Sequence, residues 1–173
     1  MRFLSERNIE MHKEYLNTLI LKYNVFLKSY PELTGRDVKG IFKTRIPRRE
    51  RAEAEKLYSE IVAHKLYFSS FSDRNISSER IKKEYGSVAS FLYFIAEECK
   101  KADKGFLFIC DDGKSLSAFA AEYSEDILRT KNAVLALDLC EHAYFYDYGF
   151  DKESYILNAI SHFDLRKIEK SAN

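Results

Sequence analysis

A change in hydrophobic period divides this chain and limits the folds that are open to it. Up to about residue 99, apolar side chains recur every three or four residues, which predicts α-helices. From "GFLFIC" onward they form short continuous runs, which predict strands. The order indicates an α+β fold, in which an N-terminal antiparallel α-hairpin precedes an α/β half with a three-stranded antiparallel sheet.

Two long helices, over about 5–30 and 48–71, are predicted to form the hairpin. Ser5 is a suitable N-cap for the first helix. The stretch "PELTGRDVKGIFKTRIP" between them is a turn-rich connection with room for a short helix. The polar, serine-rich segment "SSFSDRNISSER" is the best boundary, and it predicts an N-terminal domain of residues 1–73 and a C-terminal domain of residues 74–173.

The second half begins with a helical pattern that is interrupted near Gly86, where Ser87 can cap a new helix. Three strands follow, and "DDGKS" joins the first two as a hairpin. Their sequences are "GFLFIC", "LSAFAAE" and "NAVLALDL". The last segment, "DKESYILNAISHFDLRKIEK", predicts a single amphipathic closing helix.

The composition restricts the partners and the compartment. The 28 Lys and Arg residues balance 27 Asp and Glu, and a net charge of +1 argues against nucleic acid binding. The first residues have no apolar signal segment, and the longest apolar block is too short to span a membrane, so no membrane partner is expected. Three cysteines without metal-site spacing fit reduced thiols and a cytoplasmic location.

The histidines are the candidate functional residues. His12 and His64 lie on the apolar faces of the two long helices, and His142 follows Asp138 by four residues at a strand end. A single histidine on such a face is more often a core side chain with satisfied hydrogen bonds. Three imidazoles and a carboxylate on elements that must pack together could instead form one metal site, since neutral imidazole suits iron, manganese, zinc and copper and a carboxylate shifts the set towards harder metals. A buried Asp138 would also need a partner such as a cation.

Several segments resemble the iron/manganese superoxide dismutases, in the order found in that family. "LALDLCEHAYFYDYGFDKESYI" resembles its signature of Asp, two residues, Glu-His-Ala, aromatics and Asp-Tyr. "LSERNIEMH" resembles the approach to its first ligand histidine. "AHKLYFSSF" resembles its Asn-His followed by aromatics, with Ala63 in place of Asn. "EYGSVASF" and "KGFLFI" resemble its Phe-Gly-Ser helix start and its Gly-Trp-x-Trp-Leu strand.

This resemblance implies the activity and the ligands. The protein would convert superoxide to dioxygen and hydrogen peroxide at one iron or manganese ion per subunit. His12 and His64 from the hairpin, with Asp138 and His142 from the second half, would hold the ion. The family is typically dimeric, so the resemblance also implies a homodimer in which Glu141 reaches the ligand histidine of the partner subunit.

Some positions depart from the family pattern around the site. Tyr144 follows Glu-His-Ala as in the family, but Phe145 stands where the family has a second Tyr. Cys140 stands where it has Trp, and its strand tryptophans are Phe106 and Phe108. Phenylalanine keeps an apolar wall and removes hydrogen-bond donors.

The first helix also lacks a further His and a Tyr that the family carries after its first ligand. Those positions fall on Leu16 and Ile20. Another register would align His12 and Tyr15 with that pair, but it places Arg7 at the ligand position. "SERNIEMH" favours the register in which His12 is the ligand.

A glutamine that the family uses to tune its site is absent from both of its usual places. The helix place is Glu60 and the sheet place falls near Glu122. A Glu60 carboxylate that points to the metal would bind it or change its redox potential, whereas one that is turned to solvent would do neither. His162 occupies the place of an Asn and is interpreted as structural.

Three functions therefore remain open at the level of sequence. The first is an active superoxide dismutase, and the second is a divergent metal-binding protein of the same fold with weak or no dismutase activity. The third is an interaction protein that keeps only the fold, which the retention of all four ligand types disfavours. The basic run "KTRIPRRER" is interpreted as a solvated helix start, although cations near a channel can steer an anion.

Overall fold

A computed structural model describes residues 3–72, 78–121 and 132–170. Its helices are α1 (Glu6–Ser29), α2 (Val38–Lys43), α3 (Arg48–Ser69), α4 (Glu79–Tyr85), α5 (Val88–Cys99), α6 (Phe145–Tyr148), α7 (Lys152–Ser161) and α8 (Arg166–Lys170). Its strands are β1 (Phe106–Asp111), β2 (Leu116–Ala121) and β3 (Ala133–Asp138). Helices followed by a three-stranded antiparallel sheet confirm the predicted α+β class.

The hairpin of α1 and α3 begins as the sequence predicts. The Ser5 side chain accepts a hydrogen bond from the backbone N–H of Asn8 and caps α1. Short helical turns, including α2, fill the connection to α3. A small buried cluster closes this end of the hairpin. Its members are Leu33, Ile41, Ile46 and Ala54.

The predicted break near Gly86 separates α4 from α5. Gly86 has φ +78°, a left-handed conformation that glycine adopts without steric cost. Ser87 then caps α5 by accepting a hydrogen bond from the N–H of Ser90. An ion pair also joins α4 to the sheet, because Arg80 of α4 lies 2.6 Å from the carboxylate of the buried Asp111.

The sheet has the order β2-β1-β3, and both pairings are antiparallel. All six residues of β1 are buried, which explains why "FLFICD" is a continuous rather than an alternating apolar run. The register pairs Phe106 with Asp138. The last residue of β3 therefore lies beside the first residue of the central strand.

The end of α3 is fastened to the outer side of β3. The Ser70 hydroxyl accepts a hydrogen bond from the N–H of Ala136, and the Ser70 carbonyl accepts one from Asp164. One continuous core contains residues from both halves, for example Tyr67 of α3 and Leu107 of β1. The division at residue 73 stays a prediction, and residues 73–77 of the proposed boundary lie outside the described residues.

The prediction of one closing helix was wrong, because α7 ends at Ser161 and α8 begins at Arg166. Between them Phe163 is buried and stacks on Phe71, with ring centroids 5.5 Å apart. The N–H of Asp164 donates its hydrogen bond to the carbonyl of Ser70, the C-cap of α3, and not to a carbonyl of the closing helix. This bond and the ring packing interrupt the helix. Within the described residues, the longest helices are too polar to cross a membrane.

Candidate metal centre

Four side chains converge where the hairpin meets the sheet half. His12 comes from α1, His64 from α3, Asp138 from the end of β3, and His142 from the 3-10 turn that follows. One nitrogen or oxygen atom from each lies within 4.8 Å of the corresponding atoms of the others. The structure therefore brings together the four residues that the sequence singled out, although their role as ligands stays a prediction.

The distances are those of atoms that can share one cation. Asp138 Oδ2 lies 2.9 Å from His142 Nε2, 3.2 Å from His12 Nε2 and 3.4 Å from His64 Nε2. The Nε2 atoms of His64 and His142 are 3.3 Å apart. Ligands bound at about 2.1 Å with bond angles of 90–120° stand roughly 3.0–3.6 Å from one another.

Asp138 is held rigidly by backbone and side-chain hydrogen bonds. Its Oδ1 accepts a 2.8 Å hydrogen bond from the N–H of Cys140, which leaves Oδ2 to face the histidines. Its carbonyl accepts a 2.8 Å hydrogen bond from the buried hydroxyl of Tyr155. Complete burial acts to raise the pKa of Asp138, but contacts with His12 and His142 outweigh burial and keep its pKa well below the usual range.

His64 is oriented by its own helix. Its Nδ1–H donates a 2.6 Å hydrogen bond to the carbonyl of Glu60, one turn earlier in α3. That bond leaves the Nε2 lone pair directed at Asp138, which is the arrangement that metal-binding histidines usually have. Burial also lowers the pKa of His64 to about 4, so the ring is neutral at physiological pH and can act as a ligand.

His12 and His142 differ in how they are held. Within the described residues, neither ring nitrogen of the buried His12 has a hydrogen-bond partner, and its Nε2 approaches Asp138 without hydrogen-bond alignment. Burial acts to lower the pKa of His142, but the hydrogen bond and the charge of Asp138 outweigh it and raise the pKa. The side chain of His142 is 31% exposed, on the outer side of the cluster.

The donor set fits a hard or borderline transition metal. A buried histidine without an aligned hydrogen bond and a fully buried carboxylate are both costly in an apolar interior. One cation shared by the four residues removes both costs. Three imidazoles and one carboxylate suit iron, manganese and related divalent metals, and nothing in this set separates iron from manganese.

Aromatic side chains wall the cluster. The rings of Tyr67 and Phe68 lie 4.8 and 4.9 Å from that of His12, and Phe106 lies 5.1 Å from His64. Tyr144 is buried and stacks on Tyr155, whose hydroxyl donates to the carbonyl of Asp138. These contacts give the predicted wall residues Phe106 and Tyr144 a packing role.

Cys140 lies next to the site and is not among the residues whose ligand atoms cluster. Its Sγ accepts a hydrogen bond from the N–H of Gly105 at 3.2 Å. Burial and the neighbouring Asp138 raise the pKa of the Cys140 thiol to about 12, so the thiol stays protonated. The position therefore joins the end of β3 to the start of β1 and adds no metal ligand.

Tyr15 is a site residue that the sequence raised only in the alternative register and that the preferred register did not include. Its ring lies 4.3 Å from that of His142 and 5.4 Å from that of His64. Its hydroxyl donates a hydrogen bond to the Glu60 carboxylate, and burial together with that carboxylate raises the pKa of Tyr15 to about 12. A signal was present, because Tyr15 follows His12 by three residues and so lies near the same helix face.

Glu60 is thus turned towards Tyr15, half-buried at the edge of the site. Glu60 is not one of the four residues whose ligand atoms cluster. Tyr15 and Glu60 also line the inner end of a groove between α1 and α3 that opens to solvent. The pair therefore stands between the groove and the cluster.

The remaining candidate residues lie outside the cluster. Glu141 and Phe145 are exposed, and Phe145 packs against Phe150 with ring centroids 5.2 Å apart. Arg7, the ligand position in the alternative register, is exposed. His162 packs against Phe3 at 5.5 Å, and Glu122 lies outside the described residues.

Two comparisons with known proteins cover different shares of the chain. Residues 73–171 match the family model described as "Iron/manganese superoxide dismutases, C-terminal domain". The chain is also similar to a superoxide dismutase [Mn/Fe] of Rickettsia typhi, with 24% identity over 159 residues. That alignment covers 87% of this chain and 76% of the relative.

Proposed function

The chain belongs to the iron/manganese superoxide dismutase family, and from this premise we propose that it converts superoxide to dioxygen and hydrogen peroxide at one iron or manganese ion per subunit. The observation that carries the proposal is the cluster of His12, His64, Asp138 and His142, whose ligand atoms lie within 4.8 Å of one another. The ion, when bound, supplies the alternation between trivalent and divalent states that the reaction needs.

The residues of the chain divide the remaining work. Asp138 would hold the ion with a negative charge that favours the oxidised state, and the histidines would hold it as neutral ligands. The aromatic wall of Tyr67, Phe68 and Phe106 keeps bulk water away from these atoms. Water exclusion strengthens every charge interaction inside the site.

Tyr15 and Glu60 control the approach from the groove. The Tyr15 hydroxyl holds its proton at neutral pH, since its pKa is raised to about 12. Its single O–H is donated to the Glu60 carboxylate, and it could turn to an incoming oxygen species only by giving up that hydrogen bond. The carboxylate brings a negative charge to the path of an anionic substrate, which slows its approach.

That carboxylate supports a second candidate function. A metal-binding protein of the same fold with weak dismutase activity agrees with Glu60 on the groove and with the absence of the family's further His and Tyr at Leu16 and Ile20. The two candidates share the metal site and differ in turnover.

Metal content and superoxide disproportionation, measured on the same preparation, test the proposal. The purified protein, reconstituted with iron or with manganese, is expected to hold one ion per chain and to consume superoxide in proportion to its metal content. Stoichiometric metal without dismutation would select the second candidate. Failure to retain either metal would exclude both.

We also propose that the protein works as a homodimer formed through the surface beside His142. Glu141, Phe145, Tyr146 and Phe150 are exposed there, and Phe150 is 92% exposed. A Glu141 carboxylate from the partner subunit would be able to reach the exposed side of His142.

The three free cysteines fit a reducing compartment such as the cytoplasm.

The dimer is tested by exchanging Phe145 and Phe150 for serine together. Each buried aromatic side chain contributes about 2 kcal/mol, so the double variant should dissociate at least roughly a hundredfold more readily in sedimentation equilibrium. Tyr93→Ser is the matched control, because Tyr93 is 69% exposed on α5. A wild type that sediments as a monomer at micromolar concentration would contradict the proposal.

A further inference from the structure

The corner between α2 and α3 carries an unusual concentration of positive charge. Residues 36–49 contain six cationic side chains and one acidic side chain, in a chain whose net charge is only +1. All six cations are exposed. They are Arg36, Lys39, Lys43, Arg45, Arg48 and Arg49, and we call them the basic corner.

The cations of the basic corner differ from some other surface cations, which pair with acidic side chains. Among the described residues, none of the six forms an ion pair. On the other half of the molecule, Lys82, Lys100 and Lys101 each pair with a glutamate three residues earlier. The charge of the basic corner is therefore not neutralised within the described fold.

The placement of these charges does not help α3 to fold. Arg48 and Arg49 occupy the first turn of the helix, where the helix dipole favours anions. The N-cap Pro47 supplies no side-chain hydrogen bond there. Local stability therefore gives no reason for this pattern.

The basic corner also lies far from the metal centre. Arg49 precedes His64 by fifteen residues of one helix, which corresponds to about 22 Å along its axis. Charges on solvent-exposed groups are largely screened beyond about 8 Å at physiological ionic strength. Arg49 lines the same groove as Tyr15 and Glu60, but at this distance along α3 its charge acts only weakly on the four candidate ligands.

We propose that the basic corner docks the protein onto an anionic lipid surface. Phe42 lies between Lys39 and Lys43 in sequence and is 54% exposed, so one aromatic ring stands among the cations. Cations combined with an exposed aromatic side chain are typical of proteins that bind at the headgroup level of anionic membranes. This inference goes beyond the proposed function and replaces the expectation, drawn from the lack of an apolar signal segment and of a membrane-spanning block, that the protein has no membrane partner.

Nucleic acid is the weaker alternative for the same charges. The helix in the corner, α2, has only six residues, which is short for a recognition helix in a groove. Binding of a single strand uses successive aromatic rings for base stacking, whereas the described part of the corner exposes one such ring. A lipid surface needs neither feature.

Vesicle sedimentation tests the proposal with the full chain. The wild type should bind vesicles of equal parts phosphatidylcholine and phosphatidylglycerol, should not bind pure phosphatidylcholine, and should be released by added salt. Lys39→Gln, Lys43→Gln and Arg45→Gln combined should weaken this binding by roughly a hundredfold. Phe42→Ser should weaken it to a smaller extent.

The matched control removes the same charge elsewhere. Lys82→Gln, Lys100→Gln and Lys101→Gln combined should keep vesicle binding within a factor of about three, because those lysines are already paired. Thermal unfolding monitored by circular dichroism is the check that both triple variants are folded. Equal losses in the two variants, no wild-type binding to the anionic vesicles, or tighter binding to a labelled oligonucleotide than to vesicles would each overturn the proposal.

Discussion

Replacing His64 with alanine should weaken the binding of iron or manganese by at least roughly a hundredfold and abolish superoxide disproportionation. His64 is the residue whose Nε2 is directed at Asp138 by a hydrogen bond from Nδ1 to the Glu60 carbonyl. Its low pKa makes it a ligand that no proton occupies near neutral pH. Metal analysis by mass spectrometry and a superoxide consumption assay, made on the same samples, measure the two losses.

His162→Ala is the matched control for that substitution. His162 packs against Phe3 and its Nδ1 hydrogen-bonds the carbonyl of Asn158, away from the cluster. This variant should keep its metal and its activity. A third readout, the thermal unfolding midpoint, should rise on metal addition for the wild type and for His162→Ala but not for His64→Ala. Full metal occupancy in a folded His64→Ala protein would show that the ion lies elsewhere.

Replacing Glu60 with glutamine should raise the midpoint potential of the bound metal and increase its affinity for small anions. Glu60 faces Tyr15 at the mouth of the site, and its charge acts on both Tyr15 and His142. One charge at a separation of roughly 8 Å, at an effective dielectric constant near 20, is worth about 2 kcal/mol. That energy corresponds to about 90 mV for one electron, or to a roughly thirtyfold change in azide affinity.

Glutamine can still accept the hydrogen bond from Tyr15, so the substitution isolates the charge. Glu53→Gln is the control, because Glu53 is exposed on the same groove two turns earlier in α3. A redox titration and an azide titration followed by absorbance provide the two measurements. An unchanged potential in Glu60→Gln would mean that the carboxylate is screened from the metal, and the weak-turnover candidate would then lose its main support.

Most of the fold was predictable because its elements have strong and separate local patterns. The capped helices begin at Ser5 and Ser87 as the sequence predicts, and the buried run of β1 shows no alternation because both of its faces are covered. The closing helix was not predictable in this way. Its interruption depends on Phe163 packing against Phe71, a contact between residues that are distant in sequence.

The candidate site shows the same division between local and distant information. The four proposed ligands stand out in the sequence because histidines on apolar faces and a carboxylate at a strand end are each unusual. The orientation of Glu60 did not follow from sequence, since the alternatives of metal contact and solvent exposure were both open. Its actual partner is Tyr15, on another helix, and only the packing of α1 against α3 determines that contact.

Glu60 is joined to the site twice, through its backbone carbonyl to His64 and through its side chain to Tyr15. The first link is independent of the residue type at this position, whereas the second depends on it entirely. Position 60 can therefore mutate without disturbing the geometry of the neighbouring histidine. A substitution at this position can therefore change the charge beside the proposed metal centre while the four candidate ligands stay in place.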